Sequence, residues 1–253
     1  MNNQLGNRLE TIASLVPEKT AVLADVGTDH AYLPIALVRR KTAESAVASD
    51  VREGPLQRAE EHIRQEGMEN SIRTVLADGL APLEKYSPDV CVIAGMGGDL
   101  ISRIVFDASF TRSLQSPPLL ILQPMTKSEV LRKYLSEAGY VILTENICAE
   151  DERIYEILSV RFRGEEQIKS FSDAEIFCGE AALIGQNPRP VVSRYLDGKR
   201  SQITKKLRGF EQSAAGVPEE LRRFSEEFER YAEQIERQYA YQNPTNGRED
   251  KYK

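Results

Sequence analysis

No stretch of this chain approaches the ~20 consecutive apolar residues that a membrane-spanning helix needs, and its first residues form no apolar signal core. Cysteine is scarce. Cys91, Cys148 and Cys178 lie far apart and make no CxxC pair, which argues against a metal site or a disulfide framework and for reduced, buried thiols. There is no excess of positive charge: the net charge of −6 argues against indiscriminate binding to nucleic acid, although it leaves room for a local basic face. The expectation is a cytoplasmic, soluble, monomeric protein with no metal and no membrane partner. With 253 residues, 41% hydrophobic and 28% charged, the chain can bury one core of ordinary size and carry a smaller appendage.

What is present is an alternation. Leu5, Leu9, Ile12 and Val16 repeat at helical spacing, and Pro17 ends that leading helix. Short apolar runs then recur at 21–26, 46–50, 72–76, 89–93 and 119–122, the first four closed by acidic or glycine residues and the fifth by Gln123-Pro124. Helical patterns separate them, one opened by Gly54-Pro55 and another by the capping-box spacing Thr126-x-x-Glu129. Two further runs, 140–146 and 154–162, have no helix between them and read as an antiparallel pair. Strand and helix alternating in this way define an α/β doubly wound, Rossmann-like sheet, with strands apolar enough to be covered on both faces.

After Gly164 the strand signals stop, which divides the chain into residues 1–163 and a helical part, 164–253. A short helix over 173–184 leads to Asn187-Pro188-Arg189-Pro190, and a long helix runs to about Ser213 with Leu196, Ile203, Leu207 and Phe210 inward. Gly198 and Gly209 weaken it and mark where it could bend. Gly216-Val217-Pro218 turns the chain into a last helix, where Leu221, Phe224, Phe228, Tyr231 and Ile235 make a coiled-coil-like seam. So short a connection predicts an antiparallel helical hairpin. Residues 242–253 are polar and expected to fray.

The chemistry gathers at the strand tips. The first tip is Asp25-Val26-Gly27-Thr28-Asp29-His30-Ala31-Tyr32, a strand-to-helix turn in which Gly27 permits close backbone approach. Asp50 closes the second strand, Asp78-Gly79 the third, and Ala94-Gly95-Met96-Gly97-Gly98 the fourth. In an open α/β sheet these carboxyl ends meet along one crevice. Asp50, standing 23 residues beyond Gly27, suits the two hydroxyls of a ribose. Asp78 suits an adenine amino group, and the glycines leave backbone groups for a small polar tail. The first turn lacks the G-x-G-x-x-G that seats a pyrophosphate, and Asp25 and Asp29 would repel one. A cationic, phosphate-free nucleoside, S-adenosyl-L-methionine, fits these acidic tips. The competing reading is that each Asp merely caps a helix.

Asp25-Val-Gly-Thr-Asp-His-Ala-Tyr-Leu-Pro34, Ala77-Asp-Gly79, Ile93-Ala-Gly-Met-Gly-Gly98, Leu122-Gln-Pro124 and Glu152-Arg-Ile-Tyr-Glu156 together resemble the TrmK family of bacterial tRNA (adenine-22-N1)-methyltransferases. The resemblance covers roughly residues 4–162. It implies a class I S-adenosylmethionine-dependent methyltransferase fold and methylation of N1 of adenosine 22 in tRNA. Against the wider superfamily's D-x-G-x-G-x-G, Asp29 and Ala31 stand where later glycines would be, which marks Asp29 as more than a spacer.

An adenine N1 has its own lone pair, so alignment and electrostatics are the main tasks. Asp29 is the candidate to stabilise the charge that develops on the purine, with His30 orienting it or simply satisfied in the loop. Tyr32 is placed to stack on a flipped base or to pack on the sheet edge. Met96, Gln123 and Pro124 are expected to wall the base pocket. Residues 189–210 carry Arg189, Arg194, Lys199, Arg200, Lys205, Lys206 and Arg208 against Asp197 alone, a charge of +6, while the partner helix carries −3. Either the two helices neutralise each other or Lys199, Arg200, Lys205 and Lys206 meet tRNA phosphates. A methyltransferase of small molecules and a non-catalytic nucleotide- or RNA-binding protein remain the alternatives.

Overall fold

The computed structural model describes residues 5–242 except 114, 165, 167, 169, 214 and 215, with side chains described through 238. Most of the tail expected to fray, residues 243–253, lies outside the described residues. The chain divides into two compact units, Met1–Phe171 and Ser172–Lys253, so residues 164–171 go with the first.

The first unit is a seven-stranded sheet in the order β3-β2-β1-β4-β5-β7-β6. The strands are β1 (Thr20–Val26), β2 (Ala43–Asp50), β3 (Ile72–Leu76), β4 (Val90–Gly97), β5 (Leu119–Thr126), β6 (Tyr140–Glu150) and β7 (Arg153–Phe162). All neighbours from β3 to β5 pair in parallel, and β7 runs antiparallel to both β5 and β6. The expected α/β sheet and its antiparallel closing pair are both present.

Successive strand residues face opposite sides, and the two faces bury separate apolar clusters. Leu23, Val92 and Ile121 pack with Ile12 of α1 (Asn7–Ser14), Ile35 of α2 (Tyr32–Arg39) and Ile63 of α3 (Glu53–Gln65). Ala24, Ile93 and Leu122 pack with Ile101 of α4 (Gly98–Asp107) and Leu131 of α5 (Ser128–Glu137). Because both faces are covered, the central strands read as continuous apolar runs. The edge strand β6 runs on past its apolar stretch, where polar residues still pair: it reaches Glu150 opposite Arg153.

The Thr126-x-x-Glu129 capping box does not form. Thr126 ends β5, and the N-cap of α5 is Lys127 in the left-handed region (φ 55°), with no side-chain cap bond. A complete capping box occurs instead at Ser172 and Glu175.

In the second unit the helix expected over 173–184 is broken at Gly179 (φ 90°) into α6 (Asp173–Cys178) and α7 (Ala181–Ile184). The long helices are α8 (Arg189–Glu211) and α9 (Glu219–Gln242). Phe228, Ala232 and Ile235 of α9 are fully buried, and Phe177 sets its ring edge-on against Phe224 and Phe228. Tyr231 is only half-buried; its hydroxyl accepts from the Ala181 N–H (2.6 Å) and donates to the Gly179 carbonyl (2.7 Å). On α8 the buried stripe is Val192, Tyr195, Leu196, Lys199 and Ile203, whereas Phe210, expected inward, is exposed.

Candidate functional site

The carboxyl ends of β1–β4 open into a cavity of about 620 Å³, a volume in the range of small-molecule sites. Gly27, Asp29, Asp50, Asp78, Gly79, Ala94, Gly95 and Met96 all line it. Val26, Val51, Ala77 and, from α4, Leu100 and Ile104 supply apolar wall.

The first loop is tied to the next strand. The Gly27 and Thr28 N–H groups both donate to the Ser49 carbonyl, at 2.8 and 2.9 Å. Gly27 has φ 78°, a conformation that side chains rarely adopt, and a Cβ there would displace the Met96 methyl at the fourth tip. Asp25 is not part of the cavity wall, although its neighbour Val26 is. It is buried, accepts from the Thr28 hydroxyl (2.7 Å), and burial pushes its carboxyl up to about 6. Asp50 is also buried; one carboxylate oxygen accepts from the Arg52 N–H at 2.9 Å.

Asp29 is not a helix cap: the N-cap of α2 is Ala31, with no side-chain cap bond. The Asp29 carboxylate is held by the Arg58 guanidinium at 2.5 Å, while His30 Nε2 stands 3.7 Å away, beyond hydrogen-bond reach. His30 therefore does not orient Asp29 through a hydrogen bond; Arg58 of α3 does. His30 and Tyr32 are absent from the cavity wall. Their rings stack with centroids 5.3 Å apart, Tyr32 meets His62 edge-on at 5.0 Å, and His62 Nδ1 donates to the His30 carbonyl (2.8 Å). Tyr32 is 47% exposed, open to an aromatic partner.

Other expectations need correction. Gln123 and Pro124 are buried and wall no part of the cavity; exposure at the end of β5 begins with Met125 and Thr126. Gln123 has no exposed surface, and its Oε1 accepts from Arg8 Nη1 (2.9 Å) and from the Gly95 N–H (3.1 Å). Gly97 also lies outside the wall. It and Gly98 serve packing instead, for a Cβ on Gly98 would overlap the Lys127 carbonyl oxygen. Within the helical unit, Lys199 is 4% exposed: its ammonium donates to the Phe177 carbonyl (2.8 Å) and sits over the Phe177 and Tyr195 rings. Arg200 is drawn into ion pairs with Asp197, Glu229 and Glu236. Neither is available to a phosphate in this state, whereas Lys205 and Lys206 are exposed.

Three arginines in the wall, Arg52, Arg58 and Arg103, were not anticipated, so the crevice is not simply acidic. Asp29 offsets Arg58 and Asp50 lies against Arg52, leaving Asp78 and, on α4, Arg103. Leu100, Arg103 and Ile104 share one helical face, and that spacing was a usable signal. Among the described residues no cluster of His, Cys, Asp and Glu is arranged to hold a metal ion.

The strand order and the crevice at the strand tips define a methyltransferase domain, and the methyltransferase-domain family matches residues 5–158. A Bacillus subtilis tRNA (adenine(22)-N(1))-methyltransferase is 36% identical over 155 residues, 61% of this chain and 64% of that enzyme. The chain thus matches just under two thirds of that relative's length. A Streptococcus pneumoniae structure described as a candidate tRNA (m1A22) methyltransferase, solved with S-adenosyl-L-methionine, is 31% identical with a TM-score of 0.73, covering 93% of this chain and 100% of the other. The crystal structure of the B. subtilis enzyme TrmK gives a TM-score of 0.74 at 26% identity, covering 94% and 100%. The chain belongs to the TrmK family of methyltransferases.

Proposed function

We propose that this protein transfers a methyl group from S-adenosyl-L-methionine to N1 of adenosine 22 in tRNA. The observation that carries the reading is the cavity at the tips of β1–β4, with Asp50, Asp78 and Asp29 spaced along its wall, in a chain of this family. The cavity fits the cofactor. Asp50 offers a buried carboxylate to ribose hydroxyls, Asp78 an exposed one to an adenine amino group, and Gly95 open backbone for the amino-acid tail. The buried Asp25 carboxylate, next in sequence to the wall residues Val26 and Gly27, favours a cationic occupant over a pyrophosphate.

When bound, S-adenosyl-L-methionine supplies an electrophilic methyl group on a positively charged sulfur. The N1 lone pair of the target adenine forms the new N–C bond as the methyl–sulfur bond breaks, and the positive charge passes to the purine. Asp29 stabilises that charge and is placed to accept the acidified N6 proton. Arg58 holds the Asp29 carboxylate in position. Tyr32, exposed on its stack with His30, offers a face to the flipped base. Lys205 and Lys206 contact phosphates of the tRNA, which is the macromolecular partner.

No helix among the described residues is long and apolar enough to cross a membrane, and a tRNA substrate sets the cytoplasm as the place of action. The test is transfer of labelled methyl from the cofactor into unmodified tRNA, followed by nucleoside mapping. Label in N1-methyladenosine at position 22 supports the reading. Label only in small molecules, or none, rejects it.

A further inference from the structure

The leading helix α1 is not needed to complete the sheet, yet one of its side chains reaches the catalytic tips. Between Ala94 and Met96 the β4–β5 register shifts, and Gly95 is the extra residue, at φ 78°. A bulge of this kind takes its N–H out of the strand ladder. Here the Gly95 N–H donates to Gln123 Oε1 at 3.1 Å, so a side-chain amide replaces the lost strand partner.

An amide can present either end, and two contacts fix this one. Gln123 Nε2 donates to the Pro124 carbonyl (2.9 Å), and Arg8 Nη1 donates to Oε1 (2.9 Å). Arg8 is itself held from several sides. Its backbone N–H donates to Glu150 Oε1 (3.1 Å), and its guanidinium lies over the Tyr155 ring, 5.6 Å from the centroid. Its charge also pulls the buried Asp25 carboxyl downward, against the effect of burial.

Resting on the proposed methyl-transfer reading, we propose that Arg8 is a positioning residue, acting through the buried Gln123 amide to hold the Gly95–Met96 bulge that forms the fourth-tip wall of the cavity. Gly95 and Met96 line the space where donor and acceptor must be aligned, and misplacement on the ångström scale costs much of the rate. The guanidinium polarises the amide so that Oε1 faces the bulge. A neutral side chain would leave only the Pro124 carbonyl to keep the amide from turning its Nε2 toward Gly95, a donor facing a donor.

The test is a double-mutant cycle on the full chain, with Arg8→Met, Gln123→Leu and the pair. Each single change should lower kcat for tRNA methylation on the order of 10–100-fold, with KM for tRNA unchanged. The pair should be no worse than Gln123→Leu alone, and Arg8→Lys, which keeps a charged donor, should recover part of the loss. Asn7→Ala serves as the control. It removes the Asn7 Nδ2 bond to the Ala149 carbonyl (2.6 Å), which docks the same helix, and should leave kcat intact. Additive losses in the pair, or losses that track the thermal midpoint and recur in Asn7→Ala, would overturn the relay. The same cycle read by calorimetry with S-adenosylhomocysteine separates the two claims. A wild type inactive on tRNA, with Arg8 and Gln123 variants that lose S-adenosylhomocysteine affinity non-additively, would reject the substrate and support the relay.

Discussion

Replacing Asp25 by Asn probes the charge buried at the tip of β1. Asp25 is 7% exposed, and burial moves its carboxyl from 3.8 to about 6 despite the Thr28 hydroxyl and the Arg8 charge; Asp50 adds to the rise. At ~1.4 kcal/mol per pH unit, that gap amounts to about 3 kcal/mol. Below pH ~4 the carboxyl is protonated in folded and unfolded chains alike and costs nothing. As pH rises from about 4 to about 6 the unfolded chain releases its proton first, so stability falls; above about 6 the whole penalty is present. Asn keeps the shape and an oxygen for the Thr28 hydroxyl. Urea unfolding of the ligand-free proteins from pH 4 to 8 should therefore show Asp25→Asn gaining on wild type through that window, by about 3 kcal/mol at its upper end. The same variant should bind the cationic cofactor less tightly. A stability difference that stays flat across the range would refute the reasoning, because it would mean that Asp25 titrates alike in both states.

Four further outcomes are expected. Asp29→Asn should keep cofactor affinity within a few-fold and lower the tRNA methylation rate about 100-fold, read by calorimetry beside a single-turnover assay. Loss of both together would move Asp29 to the cofactor site, and full activity would remove it from the chemistry. Gly98→Ala forces a methyl into the Lys127 carbonyl oxygen and should destabilise the protein by ~1–3 kcal/mol, the usual cost of overpacking, seen as a lower urea midpoint. Lys205→Glu with Lys206→Glu should weaken tRNA binding and flatten its salt dependence while cofactor affinity holds. Lys199→Met should instead act on the thermal midpoint of the helical unit, since Lys199 is already bound to the Phe177 carbonyl.

The parts of the site carried by neighbouring residues were legible in the sequence. An apolar run closed by an acid or a glycine marks a strand tip, and parallel order brings the tips together, so Gly27, Asp50, Asp78 and Gly95 follow from pattern and fold class. What pattern alone did not supply are partners across long separations. Arg58 meets Asp29 from another element, and Arg8 meets Gln123 across 115 residues. Periodicity could have done more in the helical unit. Lys199 lies at helical spacing from Val192, Tyr195, Leu196 and Ile203, so the stripe that buries them buries it too. Counting its charge toward a phosphate face ignored that geometry. The misplaced capping box has a similar cause: the Thr126 spacing was right, but the residue is held in β5 by pairing with Gly97, and local propensity yielded to the sheet.

The central claim is most directly tested by single-turnover methylation of two tRNA transcripts that differ only in carrying adenosine or guanosine at position 22. The account predicts one methyl group per adenosine-22 transcript, recovered as N1-methyladenosine, and none on the guanosine-22 transcript. Equal incorporation into both transcripts would contradict it.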